Sequence, residues 1–181
     1  KIAHKLFHDN YKLNDSIESE LNLFTNEYFL NSKVLGVHYR GTDKEGEAPR
    51  LMENNLIDEI NKCLIDGSFS KIFISTDEFK VLELIKKSFN QIPVIYREDA
   101  YRSIDGEQFH RKKENDKDNI NYDALMNILL LSKTDFLIKT ASIMSDCSFI
   151  FNPHLRYKIL STPHNSNLTW WPATELIEKY L

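Results

Sequence analysis

The chain has 181 residues and a mass of 21.3 kDa, which is the size of one domain with a full hydrophobic core. Its 23 basic and 27 acidic side chains give a net charge of −4, which excludes the broad basic surface of a non-specific nucleic-acid-binding protein. No apolar run approaches the length that a membrane-spanning helix needs, so the sequence predicts no transmembrane segment.

Strand and helix patterns alternate along the chain. A helix begins at Asn14 or Asp15 and extends to Tyr28, with apolar residues spaced by three or four. Short apolar runs predict buried strands at 34–39, 71–76, 94–96, 136–139 and 157–160. Further apolar stripes at helical spacing predict helices at 56–64, 79–89, 122–132, 143–150 and 174–180. This alternation is typical of a parallel sheet covered on both faces, so the sequence predicts an α/β fold. We expect a single Rossmann-like, three-layer domain over residues 1–181.

Ligands of such folds bind at the carboxyl ends of the strands. Four predicted strand ends carry polar side chains that can bind a substrate. They are His38, Arg40, Asp43 and Lys44 after the first strand, Asp77 after the second, Arg97, Arg102, Ser103 and His110 after the third, and Thr140 and Ser142 after the fourth. Neither GxGxxG after the first strand nor GxxxxGK[ST] occurs, so the nicotinamide and P-loop classes lose their main support.

Three stretches resemble the motifs of one enzyme family. The segment 38–44, HYRGTDK, resembles the HxRxTDK motif of the α1,6-fucosyltransferases, which include the rhizobial nodulation enzymes and are distantly related to protein O-fucosyltransferases. The segment 73–78 is similar to that family's ATDD strand end, and 130–142 is similar to its LSxADFLxxTxS segment. The resemblance covers about residues 33–153.

The resemblance implies the two-domain GT-B arrangement, in which the C-terminal half binds GDP-fucose. It also implies an inverting glycosyltransferase that needs no metal or other cofactor and transfers fucose to a glycan acceptor. This chain resembles the donor-binding domain of such an enzyme, one part of a longer protein. A second domain of that protein is the expected partner, together with the nucleotide sugar and the glycan.

Arg40 corresponds to the family's essential arginine. Without a metal, the negative charge that grows on the departing diphosphate must be met by cations and N–H donors. The planar fork of Arg40 can bond two phosphate oxygens at once, and Lys44 supplies a second cation. The resemblance places the catalytic base a few residues after Lys44, so Glu47 is the first candidate and Glu45 and Asp43 are the alternatives.

The other candidates have structural as well as functional interpretations. His38 either hydrogen-bonds within the fold or lies beside the donor. Asp43 orients Arg40 or contacts a substrate, and Asp77 caps a helix or binds the nucleotide. Ser142, beside Thr140, caps a helix or lets the helix N-terminus hold a phosphate. His110 is a further substrate-binding candidate in the long polar loop.

The sequence departs from the family at two of these positions. Gly41 stands where the mammalian-type motif has a second arginine. Asn127 stands where the family has an aspartate, and Asp123, one turn earlier on the same helical face, is the predicted replacement.

Several alternatives stay open. A non-catalytic nucleotide- or glycan-binding module, a transferase that uses another nucleotide sugar, and an unrelated Rossmann-like hydrolase are the alternatives to fucosyl transfer. No targeting segment is evident, so we expect a soluble domain, cytoplasmic in a microbial or viral protein and in the Golgi lumen in a eukaryotic secretory enzyme.

Overall fold

The computed structural model describes residues 1–41, 50–104 and 117–160. The helices are α1 (Ile2–Asn10), α2 (Asp15–Tyr28), α3 (Glu53–Gly67), α4 (Phe79–Ser88), α5 (Lys117–Ser132), α6 (Ile143–Asp146) and α7 (Ser148–Phe151). The strands are β1 (Val34–Tyr39), β2 (Lys71–Thr76), β3 (Val94–Ile95), β4 (Phe136–Lys139) and β5 (Tyr157–Ile159).

The strands form one parallel sheet in the order β3-β2-β1-β4-β5. From β1 at the centre, the chain moves outward through β2 to β3, then returns to the other side of β1 to form β4 and β5. The direction of winding therefore reverses between β1 and β4, and the crevice at such a reversal is where open α/β sheets bind their ligands. The parallel sheet predicted from the alternating pattern is confirmed.

Helices cover both faces of the sheet because successive strand residues point to opposite sides. Leu35, Val37 and Tyr39 of β1 pack in one buried cluster with α3 and α4. Val34 packs in the other cluster, which contains residues of α2 and α5. The predicted three-layer arrangement is confirmed by these two cores.

The start of β1 is fixed by the turn that precedes β4. Asp135 accepts a hydrogen bond from the Val34 amide at 2.7 Å, and its own amide donates to the Val34 carbonyl at 2.9 Å. Next along the strand, a Cβ on Gly36 would lie 2.6 Å from Oγ1 of Thr134. The glycine therefore permits the close approach of β1 to this turn, and Asp135 has a structural role in it.

Some boundaries differ from the predicted ones. The strands at 94–95 and 157–159 are each one residue shorter than predicted, and the predicted helix 143–150 is divided at Cys147, which ends α6 and precedes α7. Helix α1 was not predicted, and none of its residues is fully buried. The predicted helix 174–180 lies outside the described residues.

Candidate functional site at the carboxyl edge of the sheet

Arg40 and Thr140 meet at the point where the winding of the sheet reverses. Strands β1 and β4 are hydrogen-bonded neighbours, with His38 in register with Lys139. The Arg40 amide donates to Oγ1 of Thr140 at 3.1 Å, and the Thr140 amide donates to the His38 carbonyl at 3.0 Å. The ends of β1 and β4 are thus hydrogen-bonded to each other, although Arg40 and Thr140 are 100 residues apart in sequence. We call the segment Arg40–Gly41, which directly follows β1, the turn.

Asp77 approaches the same turn from β2. Its Oδ1 accepts a hydrogen bond from the Gly41 amide at 3.1 Å. Residue Glu78, rather than Asp77, occupies the N-cap position of α4, and its side chain makes no capping hydrogen bond. The Asp77 carboxylate therefore braces the end of β1 instead of capping the helix. Three of the predicted candidates, Arg40, Asp77 and Thr140, lie together.

An ion pair between the partly buried Arg50 and the buried Glu78, which the sequence analysis did not identify, lies beside Gly41. Arg50 donates to both carboxylate oxygens of Glu78, at 2.8 and 2.9 Å, and Nη1 also donates to the Gly41 carbonyl at 3.2 Å. The Glu78 side chain is only 3% exposed. The acidic end of the 73–78 motif pointed to Glu78, but Arg50 lies in a polar segment where periodicity marks no residue as buried.

His38, in β1 just before this turn, has a neutral and buried imidazole ring. It is 2% exposed, and its Nδ1 has no hydrogen-bond partner. Burial, together with the positive charges of Lys139 and Arg40, lowers the pKa of His38 to about 3. The imidazole therefore carries no positive charge at neutral pH, so the cations near the turn must come from other side chains.

Lys139 is the second buried charge that sequence reasoning missed. Its ammonium forms an ion pair with Asp146 of α6 and donates to the Ser142 carbonyl at 3.4 Å. Burial lowers the pKa of Lys139 and raises that of Asp146, while the attraction between the two charges opposes both shifts. A lysine as the last residue of an otherwise apolar strand was the available signal.

Ser142 occupies the N-cap position of α6, but its side chain makes no capping hydrogen bond. It is buried, and its carbonyl accepts from Oγ of Ser145 at 2.9 Å. The helix that follows has only four residues. The predicted side-chain cap is therefore absent, and the role of Ser142 as a donor contact stays a prediction.

Asp123 faces the end of β3. Its Oδ1 lies 3.0 Å from Nη1 of Arg97, an ion pair whose geometry leaves that nitrogen without a hydrogen bond. Arg97 is buried and also pairs with Asp99 at 2.6 Å. Because Arg97 follows β3 and Arg40 follows β1, the ion pair of Asp123 with Arg97 lies two strands away from Arg40 along the edge of the sheet.

The loop after β3 is tied to the end of β2. The Ser103 amide donates to the Asp77 carbonyl at 2.8 Å, and Arg102 donates to the Arg97 carbonyl at 2.9 Å. The carboxyl ends of β1, β2, β3 and β4 therefore form one continuous polar edge, as the spacing of the motifs predicted.

The remaining predicted site residues lie outside the described part of the chain. They are Asp43, Lys44, Glu45 and Glu47, within 42–49, and His110, within 105–116. Among the residues that the structure describes, no group of three or more His, Cys, Asp or Glu side chains is placed to hold a metal ion. Within the same residues, no helix is both long enough and apolar enough to cross a membrane.

Solved structures of fucosyltransferases are similar to this chain. The structure of NodZ α-1,6-fucosyltransferase soaked with GDP-fucose matches with a TM-score of 0.59 and 22% identity, over 82% of this chain and 46% of that one. Fucosyltransferase NodZ from Bradyrhizobium, in a selenomethionine form, matches with a TM-score of 0.53 and 21% identity, over 74% and 40%. POFUT1 in complex with GDP-fucose matches with a TM-score of 0.57 and 10% identity, over 82% and 47%.

The chain has the fold of these fucosyltransferases. It spans about half the length of the solved structures that it matches. No protein-family model matches the sequence, and no curated protein matches it. The resemblance predicted from three short motifs is thus confirmed at the level of the fold, and so is the predicted likeness of this sheet to one half of a GT-B glycosyltransferase.

Proposed function

We propose that this chain is the donor-binding part of an inverting, metal-independent glycosyltransferase that transfers fucose from GDP-fucose to a glycan. The observation that carries the proposal is the turn after β1. There the Arg40 amide donates to Thr140 and the Gly41 amide donates to Asp77, at 3.1 Å each, where the winding of the sheet reverses. The similar structures include complexes with GDP-fucose.

The chemistry of this turn suits a leaving diphosphate. As the bond between fucose and phosphate breaks, negative charge grows on the β-phosphate oxygens. A guanidinium on a fixed backbone can meet that charge with two parallel hydrogen bonds and little reorganisation. Because burial keeps His38 neutral, Arg40 supplies the positive charge from β1, and Lys44 is proposed to add a second cation.

The proposed base is Glu47, with Glu45 and Asp43 as alternatives. A carboxylate within hydrogen-bond reach of the acceptor hydroxyl would take its proton as the oxygen attacks the sugar. We also propose Ser142 and His110 as donor contacts because they follow predicted strand ends, and Asp123 because it is the predicted replacement for the family's helical aspartate.

Isothermal titration with GDP, GDP-fucose, UDP and a UDP-sugar, each in excess EDTA, tests the proposal. We expect GDP and GDP-fucose to bind in EDTA, and UDP to bind at least tenfold more weakly. Binding that disappears in EDTA and returns with Mg²⁺ or Mn²⁺ would overturn metal independence. Equal affinity for UDP would overturn the choice of donor.

A non-catalytic binding module is the second candidate, because the chain spans only about half of the structures that it matches. The two candidates differ in transfer rather than in binding. Release of GDP from GDP-fucose that rises when glycan acceptors are added supports the transferase. Tight GDP binding without acceptor-dependent release supports the module.

A further inference from the structure

We propose that Arg50 and Glu78 are positioning residues, whose ion pair holds the Arg40–Gly41 turn in the geometry that presents Arg40 to the donor. This inference rests on the proposed function for its effect on binding. The holding of the turn itself is a property of the chain that can be measured without any ligand.

Three side chains from three parts of the chain anchor the backbone of this turn. Thr140 accepts from the Arg40 amide and Asp77 accepts from the Gly41 amide, both at 3.1 Å. Arg50 donates to the Gly41 carbonyl at 3.2 Å. Both polar groups of the Gly41 backbone are therefore bonded to side chains, and Arg50 provides the anchor on the carbonyl side.

Arg50 can act only through this turn, because its guanidinium is already occupied. Nη1 bonds Glu78 and the Gly41 carbonyl, while Nη2 bonds the other oxygen of Glu78 and, at 2.9 Å, Glu53. The guanidinium also lies over the ring of Tyr39, 5.9 Å from its centroid. Two carboxylates thus balance its charge, which makes it a support for the turn rather than a phosphate ligand.

Glu78 in turn depends on Arg50. Its side chain is 3% exposed, and the next cation, Lys80, lies 3.8 Å away with a largely exposed side chain. Removing the cation bonded to a buried carboxylate strongly destabilises the folded protein, because the carboxylate is left unpaired. The position of Arg50 is therefore determined by Glu78 from one side and by Glu53 from the other.

Gly41 links the ion pair to the turn. A Cβ at this position would lie 2.0 Å from Oε1 of Glu78 and 2.8 Å from the Tyr39 ring. The pair fills the space that a side chain at position 41 would need. The second arginine of the resembled motif is thus incompatible with this ion pair, and an arginine from position 50 reaches the same backbone instead.

The double variant Arg50→Met/Glu78→Leu separates positioning from stability. It removes both charges together, so the buried position 78 is not left with an unpaired carboxylate, and replacing such an ion pair by apolar residues of similar volume is often neutral for folding. The matched control is Lys158→Met/Glu59→Leu, which removes another ion pair with a buried carboxylate, 2.5 Å long, between β5 and α3. Of the three anchors on the turn, the double variant removes only the bond from Arg50 to the Gly41 carbonyl, whereas the control variant removes none of them.

Two measurements on the 181-residue chain decide the outcome. We expect the Arg40 and Gly41 amides to exchange with solvent at least tenfold faster in the double variant, by NMR, and GDP to bind at least tenfold more weakly, by titration. The control should change neither. Unchanged amide exchange, or faster exchange with unchanged GDP affinity, would overturn the inference. If the wild-type chain binds no GDP, the proposed function fails, and amide exchange alone then decides whether the ion pair holds the turn.

Discussion

Arg40 illustrates how a single residue depends on its backbone. The Arg40 amide is bonded to Thr140 and the Gly41 amide to Asp77, so the backbone from which the Arg40 side chain extends is fixed. A planar guanidinium with a fixed backbone can bond two phosphate oxygens at once, whereas a lysine ammonium acts as a point charge.

We expect Arg40→Ala to abolish fucosyl transfer and Arg40→Lys to restore little of it. The lost stabilisation of the transition state should be on the order of 3 kcal/mol or more, about a hundredfold in rate. Initial rates of GDP release measure the effect. Arg156→Ala, an exposed arginine just before β5, is the control and should be unchanged. A near-normal rate for Arg40→Ala would contradict the assignment.

Glu47 allows a test of the proposed base. Glu47→Gln keeps the shape of the side chain and removes its charge, so donor binding should survive while transfer falls by roughly two orders of magnitude. Titration with GDP and initial-rate measurements on the same preparation separate the two effects. Unchanged transfer would move the assignment to Asp43 or Glu45.

His38 predicts a pH dependence of stability. Its pKa is lowered to about 3 in the folded chain by burial and by Lys139 and Arg40, while an unfolded histidine titrates near 6.5. Between these values the unfolded chain binds more protons, so the free energy of unfolding falls as the pH falls from about 6.5 towards 3.

Relative to His38→Gln, the wild-type chain should therefore lose about 2 kcal/mol more stability between about pH 7.5 and pH 5. Urea unfolding at a series of pH values measures this difference. His154→Gln, which removes an exposed histidine, should keep the wild-type slope. Parallel slopes for wild type and His38→Gln would show that His38 is not buried as a neutral group.

At the scale of the elements, β1 is placed by contacts at both ends. Asp135 bonds the backbone of Val34 at its start, and Thr140 bonds the backbone of Arg40 just beyond its end. Both residues flank β4, so the pairing of these two strands fixes the position of the turn that carries Arg40.

Gly36→Ala tests this close pairing. The new methyl group would lie 2.6 Å from Oγ1 of Thr134 and 3.1 Å from its Cβ, so we expect a loss of about 1–3 kcal/mol in the free energy of unfolding. Adding Thr134→Ala removes the nearest atoms and should recover part of the loss, as measured by urea unfolding. Thr134→Ala alone is the reference. An equal loss in both backgrounds would place the clash elsewhere.

At the scale of the whole molecule, the described residues form a five-stranded sheet with two cores, and the chain spans only about half of the fucosyltransferase structures that it matches. The edge that carries Arg40, Asp77 and Thr140 is the edge where such sheets bind ligands. The proposed function assigns the donor to this edge and the acceptor to the second half of the enzyme.

The sequence by itself determined the alternation of strands and helices and the polar residues at the strand ends. It could do so because hydrophobic periodicity reports which face of each element is buried. The motif around Arg40 also pointed to the fold that the solved structures share.

Only the tertiary structure decided which of these residues touch. The bonds from Thr140 and Asp77 to one turn depend on strand order, which places β1 between β2 and β4. The burial of Lys139 and the partial burial of Arg50 were not predicted, because a charged residue enters a core only where a partner such as Asp146 or Glu78 arrives from another part of the chain. Periodicity reports burial along one element, whereas each of these pairs joins a residue to a part of the chain outside its own element.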